Sequence, residues 1–144
     1  MSDEVAKRAR ELFLSSRNCA EAVLSANMER LGIEGDWYPG VATGFAAGMG
    51  RSGMVCGAIV GAVMAAGAVL GRGRPDEDID ALIEFAASLV RDFTGEFGSC
   101  SCALLINRDV STPEGLQKAR EEGVFESVCP PFVEFCAAAA GRLT

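Results

Sequence analysis

Residues 75–97 read PDEDIDALIEFAASLVRDFTGEF. Ile79, Leu82, Ile83, Ala86, Leu89, Val90, Phe93 and Phe97 recur at three- and four-residue spacing, which a 3.6-residue helix stacks on one face. Pro75 suits the first helical turn, and Asp76, Glu77 and Asp78 sit where the helix dipole favours acids. This stretch is therefore expected to be a helix from Pro75 onward with that face in the core. No other segment shows the strict alternation of a half-buried strand. The chain reads as all-α: one compact helical bundle over residues 1–144.

Upstream, Gly53 to Leu70 carries no charge. It is rich in Gly and Ala and poor in the large aliphatics that drive membrane insertion, so it is expected to be a buried central helix starting near Met54. Gly57, Gly61 and Ala65 recur every four residues and give it a small-residue face for close helix contact, and a homodimer through that face is compatible with the pattern. From Asp3 to Leu31, Val5, Ala9, Leu12, Ser16, Cys19 and Val23 share a helical face. Asn18 with Glu21 spells a capping box, which divides this segment into two helices near Arg17. Gly32 to Gly40 is turn-rich, and Trp37-Tyr38 within it reads as a loop anchor on the core. Short helices are expected over Val41–Ala47 and Ser99–Ile106. Thr112-Pro113 starts another that Gly123 ends, and Pro131 starts the last, through Arg142.

Composition narrows the function. At 144 residues and 49% hydrophobic content the chain can bury a core without covalent staples. Its 13 basic and 20 acidic residues give a net charge of −7, with no basic cluster, which argues against nucleic acid and anionic membrane surfaces as partners. There is no histidine, so Ser-His-Asp and Cys-His catalysis, His-ligated haem and mixed Cys/His zinc sites are excluded. The first residues lack an apolar signal region, which points to the reducing cytoplasm. There six cysteines serve metal ligation or transient redox pairing better than a static disulfide framework.

Cys19 follows the Asn18 cap, and Cys56 falls in the first turn of the central helix. Cys102 stands three residues after Ser99, and Cys129 immediately precedes Pro130-Pro131. All four are expected at helix N-termini, where unsatisfied N–H groups and the dipole favour thiolate, the form that attacks electrophiles and binds metals. Cys136 reads as core filler and Cys100 as an auxiliary thiol. No C-x-x-C is present, so any shared site must be assembled by the fold, one thiol per helix. Such a site suits an iron–sulfur cluster, a Cys-rich zinc site, or thiol pairs that cycle between dithiol and disulfide.

Gly48-Met49-Gly50-Arg51-Ser52-Gly53 spells G-x-G-x-x-G before a helix. Without flanking strands it is no dinucleotide fingerprint, and a sharp helix–helix junction accounts for the glycines. The other reading is an anion or cofactor phosphate held at Gly50, Arg51 and Gly53 by backbone N–H groups and the Arg51 side chain.

Several of these pieces in order resemble a family of small helical proteins named for a C…GCAxxG…C…C pattern: Asn18-Cys19-Ala20, Gly48-x-Gly50-Arg51, Cys56-Gly57-Ala58-x-x-Gly61, Gly98-Ser99-x-x-Cys102, Asp109 to Gly115, and Cys129-Pro130. The central motif here reads Cys-Gly-Ala where the family name writes Gly-Cys-Ala. The resemblance implies a redox role carried by Cys19, Cys56, Cys102 and Cys129, as an oxidoreductase or electron-transfer component, commonly with transporter genes nearby. A similar domain accompanies an iron–sulfur centre in split-Soret cytochromes, whose haem motif is missing here. The alternative is a soft-metal binder or sensor serving a transporter, without redox turnover.

Overall fold

The computed structural model describes residues 2–143 as a helical bundle, and its only strand-like pairing among those residues is an isolated bridge between Val55 and Ser101. The order is α1 (Ser2–Leu14), α2 (Cys19–Leu31), a 3₁₀ segment (Gly40–Phe45), α3 (Gly57–Leu70), α4 (Asp80–Phe97), α5 (Cys102–Ile106), α6 (Pro113–Glu121), α7 (Val124–Val128) and α8 (Pro130–Gly141). Among the described residues, no helix is long and apolar enough to cross a membrane.

Helix α2 begins where the capping box predicts. The Asn18 side chain accepts from the Glu21 N–H at 2.8 Å, and the Glu21 carboxylate accepts from the Asn18 N–H at 2.9 Å. Every residue from Ala20 to Met28 is buried, enclosed by α1, α3 and α8. The centre is thus shared between α2 and the Gly/Ala-rich α3. Asn27, fully buried in α2, donates to the carbonyls of Val23 and Ala137, so its burial leaves no unmet amide.

The glycines of α3 are consumed inside the chain. A Cβ on Gly61 would stand 2.6 Å from the Ala20 carbonyl oxygen and 3.1 Å from Val23 Cβ. Only hydrogen fits, and the two backbones meet there. That face is covered by α2 and is not available to a second copy.

Helix α4 departs from its expectation at both levels. It starts at Asp80, because the acids before it serve a turn: Glu77 accepts from the N–H groups of Gly73 and Arg74, and Asp78 from that of Asp80. Of its apolar face only Leu89 and Phe93 are buried, and Ile83 is 57% exposed. The helix lies at the flank, against α3 and α8. Phe93 and Phe97 hold it there, packing on Phe132 and Phe135 of α8 with ring centroids 4.9–5.9 Å apart.

Other boundaries shift by a few residues. The segment expected over Val41–Ala47 is a 3₁₀ helix, and α3 starts at Gly57 with Cys56 as its N-cap. Ser101, not Ser99, caps α5. Tyr38 anchors its loop by donating to the Ile33 carbonyl at 2.6 Å, whereas Trp37 is 43% exposed.

Candidate functional site

The four cysteines singled out by helix starts line one cavity of about 530 Å³ at the end of the bundle. Each arrives by a local device. Cys19 is the first residue of α2, set by the Asn18 cap. The Thr43 hydroxyl donates to Glu21 at 2.7 Å, and the Asn18 amide to the Thr43 carbonyl, which ties the 3₁₀ segment to that helix start.

Cys56 and Cys102 are brought together by a short backbone ladder. The Cys56 N–H donates to the Cys100 carbonyl at 2.8 Å and the Cys102 N–H to the Met54 carbonyl at 2.6 Å. The Ser101 hydroxyl donates to the Gly53 carbonyl at 2.9 Å. Cys129 occupies the joint between α7 and α8, as C-cap of one and N-cap of the other.

Helix α7 was not foreseen. At five residues it is too short for periodicity, yet Phe125 and Glu126 within it form part of the cavity wall. Cys136 lies fully buried in α8, away from the cavity lining, and Cys100 contributes its carbonyl rather than its sulfur to the ladder.

The thiols do not share one acidity. Cys19 and Cys129 are neighbours that influence each other: beside Cys19 the Cys129 thiol is drawn below the ordinary value, while Cys19, beside Cys129 and buried, is raised. Glu126, three residues before Cys129, opposes that lowering. Burial pushes Cys56 up to about 12, against a smaller opposing influence of the backbone N–H groups of Ala58 and Ile59 at the helix start. Cys102 is raised to about 11, chiefly by burial. The helix starts do not make thiolates of these cysteines: Cys129 is lowered by its neighbour Cys19, Cys19 is raised by Cys129 and by burial, and at Cys56 and Cys102 desolvation outweighs the terminus.

The Gly48–Gly53 segment is more unusual than a junction. Ala47, Gly48, Met49, Gly50 and Arg51 all have positive φ, between 49° and 75°, a left-handed turn with three non-glycine members. The N–H groups of residues 49–54 all donate to carbonyls of residues 44–49. None is left to cradle a phosphate. Gly50 and Gly53 serve the turn, and only Ala46, Ala47 and the Arg51 side chain reach the cavity.

The donor chemistry of four thiols suits a soft metal or an iron–sulfur cluster. Among the described residues, however, no three Cys, Asp or Glu side chains are grouped closely enough to hold a metal ion. The fit is one of donor type and not of position.

No curated protein matches the chain, and no solved structure does either. A family model described as "Putative redox-active protein (C_GCAxxG_C_C)" matches residues 17–143, a span that holds all four cavity cysteines. With nearly its whole length covered by that match, the chain belongs to the C_GCAxxG_C_C family.

Proposed function

We propose that the chain is a two-electron thiol redox protein of the cytoplasm whose working pair is Cys19 and Cys129. The observation that carries this reading is that Cys19 and Cys129, near enough to shift each other's acidity, both stand at the wall of one open cavity. Such a contact lowers the pKa of one sulfur while keeping its partner within bonding reach.

Cys129 acts as the attacking thiolate. It displaces one sulfur of an incoming disulfide, forming a mixed disulfide and releasing a thiolate. Cys19 then loses its proton and attacks the Cys129 sulfur, closing the Cys19–Cys129 disulfide and releasing the second thiol. Two electrons and the proton of Cys19 leave the protein for each disulfide reduced, and the first thiolate released takes its proton from solvent. Cys56 and Cys102, held protonated by burial, wall the site.

Mild oxidation followed by thiol counting and peptide mapping tests the pair. The expected result is loss of two thiols and a Cys19–Cys129 linked peptide, with one midpoint potential in a thiol–disulfide buffer. A different linked pair, or no loss of thiols, overturns it. Anaerobic purification with a visible spectrum and metal analysis tests the four-thiol alternatives. Stoichiometric iron with visible absorption would replace the dithiol with an iron–sulfur cluster. Tight, redox-silent zinc or copper(I) would replace it with a metal sensor serving a transporter.

A further inference from the structure

The geometry points to the substrate class of this site: a small disulfide carrying carboxylates, rather than the disulfide of a folded protein. The inference rests on the Cys19–Cys129 reading above and deepens it. Two independent observations support it, one about access and one about charge.

Cys129 is only 4% exposed, at the wall of the cavity. Thiol–disulfide exchange requires the attacking sulfur to come into line with the sulfur it attacks and the sulfur that leaves. A disulfide set in a folded surface cannot bring three sulfurs into line inside such a recess. A cavity of about 530 Å³ falls in the range that admits small molecules.

The charge distribution selects among those molecules. In this acidic chain arginines are mostly paired: Arg8 with Glu29, Arg10 with Glu134 and Arg108 with Glu122. Arg51 and Arg120 have neither an ion pair nor a side-chain hydrogen bond among the described residues, and both line the cavity, one from the left-handed turn and one from α6. Arg17 lines it too, with its guanidinium 3.9 Å from Glu21. Against them stand two carboxylates. Those of Glu21 are engaged by Asn18 and Thr43, while Glu126 has no partner among the described residues.

Two unpaired guanidinium groups can take one carboxylate each in bidentate fashion. They also offset the repulsion that the Cys129 thiolate and Glu126 would exert on an anionic disulfide. Phe13, Leu105 and Phe132 supply apolar wall to the same cavity. The overall step is reduced protein plus R–S–S–R giving oxidised protein plus two R–SH. The small disulfide is the oxidant, and its two thiols carry away the electrons and protons.

The test times the loss of two thiols from the fully reduced chain under anaerobic conditions. The probes are dithiodiglycolate (anionic), 2-hydroxyethyl disulfide (neutral) and cystamine (cationic), each rate divided by that of the same compound with free dithiothreitol. Dithiodiglycolate should lead the neutral probe by about tenfold or more at low ionic strength, with cystamine slowest. The lead should shrink toward parity at high salt, and also in an Arg51→Gln, Arg120→Gln chain whose helical circular dichroism is intact. Equal normalised rates, a lead for cystamine, or faster reaction with a folded protein disulfide overturn the substrate class but leave the cysteine pair standing. Failure of every probe to oxidise the pair removes both. The salt series on the natural chain decides the matter even where the double variant does not fold.

Discussion

Cys129 caps the start of α8 and Cys136 lies within it, seven residues on, and both are buried, at 4% and 0% exposure. Their chemistry diverges all the same. Cys136 is packed in the bundle interior, and burial raises its thiol well above the ordinary range. Cys129 is held below that range by its neighbour Cys19 and faces a cavity. Burial therefore does not decide whether a cysteine is inert. The decision falls to what surrounds the sulfur: the packed interior, or a neighbouring thiol on one side and open space on the other.

The sharpest way to break this contrast is to remove each sulfur in turn. Cys129→Ser should abolish oxidative pairing and slow alkylation at neutral pH by about a hundredfold, since the remaining cavity thiols are protonated there. Cys136→Ser should leave alkylation at Cys129 unchanged but cost roughly 1–3 kcal/mol in urea unfolding, because it buries a hydroxyl in an apolar setting. Thiol trapping with mass spectrometry, beside an unfolding curve for each variant, reads both. Equal alkylation of the two natural cysteines would erase the distinction.

Alkaline titration sharpens it next. Cys56 and Cys102 are raised from 9.0 to about 12 and about 11, so the folded chain holds protons that the unfolded chain gives up. Their contribution to stability is whole below pH 9 and is lost as pH climbs through 11 and 12, by about 1.4 kcal/mol per pH unit for each thiol in that window. Cys129 runs the other way: its lowered value adds stability that is complete above pH 9. The unfolding midpoint should fall beyond pH 9 and fall less in Cys56→Ala. In the same series, alkylation at Cys129 should level off below pH 9.

A smaller effect is expected at the contact that brings Cys19 beside Cys56. Gly61→Ala places a methyl 2.6 Å from the Ala20 carbonyl oxygen. Overpacking costs about 1–3 kcal/mol, and the better helix propensity of alanine returns up to about 1. A net loss of about 1 kcal/mol or more, with slower Cys19–Cys129 pairing, is the expected outcome; a more stable chain would contradict the tight crossing. The smallest change should follow Asn18→Ala, about 1 kcal/mol for the lost cap, read by the same unfolding curves.

Much of the architecture was legible because it rests on short-range rules. Asn18 with Glu21 marks a helix start in any sequence, and Thr112-Pro113 does likewise. The start of α4 was misplaced because Glu77 and Asp78 have two uses, at a helix terminus or in a turn, and only the fold chooses between them. Its eight-residue apolar face was real, but α3 and α8 cover only part of it, and coverage is not a local property. The convergence of Cys19, Cys56, Cys102 and Cys129 could be anticipated as four helix starts. Their acidities could not, since burial and the Cys19–Cys129 contact depend on neighbours distant in the chain. Arg120 escaped notice for the same reason: nothing in its own segment shows that it borders the cavity.

The left-handed turn at Ala47–Arg51 has a consequence for anyone who would make this protein sturdier. Ala47, Met49 and Arg51 each hold a backbone shape that costs an L-residue about 1–2 kcal/mol, so glycine at 47 or 49 offers relief of that tension. The same relief would slacken the rim from which Arg51 projects. Hardiness and a firm mouth to the cavity are therefore opposed at these few positions, and a more durable variant obtained there should grip its ligand less well.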